Sequence, residues 1–175
     1  MQQANVQGEP WMRGTHPELD PLRRAVIHAL ELAEEDAARW AAPLGSSGIF
    51  ARPHGLPSVA LHLRHIARSL DRLLTYAEGG ALNQEQLGSL ANENVPGNRE
   101  EVMREFKEGI SMAKMRIRAF DPSTYDQPRG IGRKQLPTTV AGLLIHCAEH
   151  TQRHSGQMVT TAKLTQASDA EGAGA

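Results

Sequence analysis

Apolar residues return at three- and four-residue steps in four long stretches of the chain, the period of a helix with one buried stripe. The first stretch runs from about Pro17 to Ala42, with Leu19, Leu22, Val26, Leu30, Ala33 and Ala37 on its stripe. Pro43 and the "GSSG" of residues 45–48 stop it. The second follows Pro57, with Ser58 placed to cap it, and carries Val59, Leu63, Ile66, Leu70, Leu73 and Ala77 before Gly79 and Gly80 end it. The third opens at the N-cap Asn98, with Glu100 and Glu101 favouring the positive end of the helix dipole. Its stripe is Val102, Phe106, Ile110, Ala113 and Ile117, and Asp121-Pro122 breaks it. The fourth runs from Thr138 to about Thr165 on Val140, Leu144, Cys147, Thr151, Met158 and Ala162.

No stretch alternates as a strand should, although residues 125–135 have room for a short hairpin. The pattern therefore predicts an all-α protein, a four-helix bundle with long interhelical loops. Those connections are each about fifteen residues, against the two to eight usual between antiparallel neighbours in bundles. Such loops permit a crossover, and they are where the roof of a site is built. Residues 1–16 read as an N-terminal arm, 17–165 as the bundle, and the small polar residues of 166–175 as a flexible C-terminal tail.

Composition narrows the class. A chain of 175 residues suits one domain, since single cores stay efficient up to roughly 250 residues. A formal charge of −1, with no long run of one sign, argues against nucleic-acid binding through counterion release. No apolar segment suggests a signal peptide or a membrane anchor. A single cysteine, Cys147, forms no intrachain disulfide, and the expected setting is cytoplasmic. Ile49 and Phe50, apolar residues in a loop, hint at a homodimer.

The chemistry concentrates in "HCAEHTQRHSGQM", residues 146–158, where His146, His150 and His154 recur every fourth residue. On a helical wheel centred on Val140, His154 falls about 40° from the core direction, His150 about 80° and His146 about 120°, with Gln157 on the same flank. On the second helix, His62 lies about 60° and His65 about 120° from the core direction, with Ser69, Arg72 and Tyr76 continuing that flank. If these flanks face each other, three or four imidazoles converge. Neutral imidazoles hold zinc, nickel, copper or iron, and three protein ligands leave positions open for water or substrate. The plainer alternative is a row of flank histidines bonded to carbonyls and water.

Several sharper readings fail. A zincin needs H-E-x-x-H, but Cys147 follows His146 and Thr151 follows His150. Cys147 points into the core and reads as a small apolar residue, not a nucleophile. The Glu-x-x-His pair of di-iron carboxylate bundles is missing from the first and third helices.

"LHLRHIARSLDRLLTYAEG" and "LLIHCAEHTQRHSGQM" resemble the DinB-like superfamily, which includes the YfiT-like metalloenzymes. The resemblance spans roughly Pro17 to Thr165, and its most specific element is H-x-x-x-H followed by Gly-Gln. It implies a four-helix bundle with a long connection between the second and third helices. It implies metal ligands at His65, His150 and His154, with His62, His146 and Gln157 left to surround them. The helical wheel slightly prefers His62 over His65 as the more inward ring; the motif, with Ile66 and Leu73 following, selects His65. The implied cofactors are a divalent metal, zinc or nickel first among the candidates, and a low-molecular-weight thiol. The implied activity is a thiol-dependent S-transferase acting on a small molecule; a metal-dependent hydrolase, or a metal-binding or stress-related bundle without turnover, are the alternatives. In such chemistry a divalent ion lowers the pKa of a thiol or water and supplies a nucleophile near neutral pH.

Overall fold

The computed structural model describes residues 8–89, 92, 93, 95 and 97–172, with side chains up to residue 168. Four long helices form the bundle: α1 (Pro21–Asp36), α2 (Val59–Ala77), α4 (Arg99–Ala119) and α5 (Val140–Gly172), with a short α3 (Gln84–Ser89) in the connection after α2. The stripes read from the sequence are its core. Every stripe residue of α4 and α5 is buried, and on α1 and α2 only Leu22 and Leu73 remain partly exposed. Phe106, Leu30, Leu63, Ile66 and Leu144 are among the fully buried side chains, each stabilising the fold by about 1.5–3 kcal/mol relative to exposure.

The caps behave as expected. Ser58 Oγ accepts from the Leu61 amide at 3.2 Å, and Asn98 Oδ1 from the Glu100 amide at 2.7 Å. The first helix starts later than Pro17, because Asp20 caps it and Pro21 takes the first helical position, where its missing N–H costs nothing. A five-residue π-helical segment, Ala37–Ala41, carries it to the stop at Pro43. The hairpin is real but displaced: β1 (Pro128–Ile131) pairs antiparallel with β2 (Leu136–Thr139), and the chain enters α5 directly from β2. At its far end α5 runs on to Gly172, so the helix extends past the Thr165 boundary read from the sequence and residues 166–172 are helical; residues 173–175 lie outside the described residues, as do residues 1–7 of the arm.

α2 packs on α4 and α5, and α1 packs on the same two helices, which puts α1 opposite α2 and α4 opposite α5. Directions follow from the contacts. Gln152 reaches the Ala29 carbonyl and Ser155 reaches Asp36, so α1 and α5 run parallel. His62 meets His154 and His65 meets His150, so α2 and α5 run antiparallel. α2 and α4 are parallel and close: a Cβ on Gly109 would sit 2.6 Å from the Cβ of Ala67. A parallel pair requires the chain to travel back along the bundle, and this explains the long segment between α2 and α4.

That segment is held down by arginines one helical turn apart on α2. Arg64 donates to the Val95 carbonyl, Arg68 to the Ser89 carbonyl at 3.0 Å, and Arg72 to the Glu93 carboxylate at 3.4 Å. In the connection between α1 and α2, Ile49 is wholly buried and Phe50 packs partly buried against the core. No described helix is long and apolar enough to cross a membrane.

Candidate metal centre

The antiparallel α2–α5 pair places two rows of histidine face to face. His65, His150 and His154 each offer one ring nitrogen to a group whose three atoms lie within 4.8 Å of one another. The two Nε2 atoms of His65 and His150 are 2.8 Å apart. Two imidazole lone pairs at that distance repel unless a proton or a metal cation lies between them.

Each ring is supported differently. His65 Nδ1 is 2.7 Å from Glu93 Oε2. A carboxylate only accepts, so Nδ1 carries the proton and the Nε2 lone pair faces the cluster. Burial works to raise the pKa of Glu93, but His65 and Arg72 outweigh it and hold the carboxyl below its ordinary value. The order Arg72–Glu93–His65 is the carboxylate–histidine arrangement that fixes the tautomer and orientation of a metal-binding ring. His154 is backed by His62, whose Nδ1 lies 3.1 Å from His154 Nδ1. His62 is only 2 % exposed, so the helical wheel ranks its inwardness correctly. That inwardness places it behind His154 and outside the three-nitrogen group. His150 has no such support: its Nδ1 is buried without a partner among the described residues. His146 stacks on His150 with centroids 5.4 Å apart and stays 43 % exposed, at the rim. Gln157 is exposed and lines a cavity of about 340 Å³ beside His62.

The electrostatics suit ligation. Burial, then the neighbouring imidazoles, pushes His62 and His150 down to about 4, and burial, then His65 and Arg153, does the same to His154. At neutral pH these rings are uncharged, the form that coordinates a metal. Cys147 is fully buried and its thiol is pushed up to about 12 by desolvation, which excludes it as a nucleophile.

The model of the DinB superfamily matches residues 18–158. The chain belongs to the DinB superfamily. No curated protein and no solved structure matches it. For a DinB-superfamily bundle, the residues present fit a metal at the α2–α5 face. Three ring nitrogens lie within 4.8 Å of one another, an acidic partner sits behind one ring, and the two rings beside it are held uncharged at neutral pH.

A second group, His16, His28 and Glu31, also brings three donor atoms within 4.8 Å but fails the same test. Arg118 approaches His16 Nδ1 at 3.2 Å, and a guanidinium has nothing to accept with, so Nδ1 must offer its lone pair. His16 Nε2 then carries the proton and donates it to Glu31 at 2.7 Å, while His28 Nε2 pairs with Thr15 at 3.0 Å. This group is a satisfied strut that ties the residues before α1 to α1 and α4.

Glu93 escaped sequence reasoning, because a carboxylate in an aperiodic loop carries no pattern. The available signal was indirect: arginines at every fourth residue of α2 imply something to hold. Arg72, on the same flank of α2, is committed to Glu93, and Arg129 to the Ala77 carbonyl at 2.8 Å.

Proposed function

We propose that the chain is a divalent-metal-dependent enzyme, with His65, His150 and His154 as the protein ligands of a zinc or nickel ion, and that it is a YfiT-like thiol S-transferase of the cytoplasm. The observation that carries this is the trio of ring nitrogens within 4.8 Å of one another on two helices, with Glu93 behind His65 and His146 exposed at the rim. Bound there, a divalent ion would act as a Lewis acid and lower the pKa of a low-molecular-weight thiol. The chain's own residues do the rest. Glu93 keeps the proton of His65 on Nδ1, His62 orients His154, and the packed bundle keeps water from the inner side of the rings. Three protein ligands are an open, catalytic arrangement, in contrast to the four that close a structural site. Lone, buried Cys147 fits a reducing compartment.

The test is turnover. Metal-loaded protein should join a small thiol to chlorodinitrobenzene, the sulfur–carbon bond forming as carbon–chlorine breaks and the thiol proton and chloride leave. Chelated protein should show only the background rate. An equal rate with and without metal would refute the proposal.

A further inference from the structure

We propose that Arg153 and the cavity beside it form the subsite for the anionic end of the small molecule bound at the three-histidine centre. This rests on the metal reading above and names the charge of what that site accepts.

Charge balance is the first ground. Imidazole coordinates a metal as an uncharged ligand, so a divalent ion held by three histidines alone would keep its full charge. Glu93, the carboxylate touching His65, is already paired with Arg72. Glu149, the next nearest acid on α5, is exposed and sits 3.7 Å from His146 Nδ1. Arg153, next to His154 on α5 and exposed, adds another positive charge at the edge of the group. No carboxylate pairs with it among the described residues. Three uncharged ligands around a divalent ion, with a guanidinium at the edge, make a positive field that favours an anionic ligand.

Shape is the second ground. Arg153 lines the 340 Å³ cavity with His62, Gln157 and Thr160, over an apolar floor from Leu56 and Pro57. This cavity lies one helical turn from His154 along α5, toward the start of α2. A molecule with a donor atom at the histidines and a carboxylate a few bonds away spans that turn of about 5.4 Å. Arg153 offers such a carboxylate a two-pronged contact, and Gln157 and Thr160 supply further polar groups. The larger cavity of about 930 Å³ against α2 and α4 contains no histidine and does not serve the centre.

The probes are 3-mercaptopropionate and 2-mercaptoethanol, similar in size and different in charge. Each is titrated into cobalt(II)-loaded protein, and the sulfur-to-cobalt charge-transfer band reports binding without turnover. The ratio of their dissociation constants is compared between wild type, Arg153→Gln and Arg153→Lys, so intrinsic differences between the thiols cancel. The wild-type ratio should favour the anionic thiol by roughly tenfold more than the ratio in Arg153→Gln, the worth of one charge-assisted contact. Arg153→Lys should recover part of the preference. All three proteins should bind one cobalt. Equal ratios in wild type and Arg153→Gln would overturn the anionic subsite while leaving the metal reading intact. Failure to bind cobalt at all would bring down both.

Discussion

Glu93 Oε2 accepts from Nδ1 of His65 at 2.7 Å, across a chain separation of 28 residues. The contact joins the crossover to the face of α2 that meets α5, so the bundle's least regular segment decides which nitrogen of His65 is free. Arg72 holds the other carboxylate oxygen, and Arg64 and Arg68 fasten the same segment on either side.

Glu93→Ala should therefore weaken metal binding by about 10–100-fold, the usual effect of removing the partner behind a ligating ring. Glu93→Gln, which can still accept a hydrogen bond but lacks the charge, should fall between. Competition with a chromogenic chelator measures both. Unchanged affinity in Glu93→Ala would show that the contact does not tune the site.

Acid should destabilise the metal-free protein in a defined window. The folded protein holds His62, His150 and His154 near 4, against about 6.5 when unfolded. Between those values the unfolded chain binds more protons, so stability is fully present above pH 6.5 and is lost as pH falls toward 4. In urea unfolding at pH 7, 6 and 5, His62→Gln should flatten the slope by at most about 1.4 kcal/mol per pH unit, one proton's worth. Parallel slopes for wild type and variant would contradict the burial of a neutral His62.

Chelation should leave the bundle standing. The core built on Phe106, Ile110, Leu30 and Leu63 is formed by apolar side chains and needs no ion to form, unlike a zinc finger. Excess chelator should lower the Tm, as loss of a ligand of the folded state must, and leave helical circular dichroism in place. Loss of most of the helix signal would point to a structural ion.

Much of this architecture was legible in the sequence, because periodicity is a direct consequence of burial on one face. The stripe from Val102 to Ile117 matches the buried face of α4 residue for residue. His150 and His154 were legible for a related reason, since residues four apart share a helix side. The choice between His62 and His65 was not a matter of inwardness. The more buried ring became the support and the less buried one joined the group, which only the facing of α2 against α5 decides. Glu93 and the apolar role of Ile49 lay in aperiodic loops, where placement depends on tertiary contacts.

Metal content measures the central claim most directly. Wild-type protein, loaded with zinc or nickel, desalted and analysed for the element, should carry one ion per chain. His65→Ala, His150→Ala and His154→Ala should each lose stoichiometric metal, because two imidazoles hold a first-row ion far less well than three. His146→Ala, altered only at the rim, should keep it. Full occupancy in His65→Ala together with loss in His146→Ala would contradict the assignment, and an empty wild type would contradict the metal centre itself.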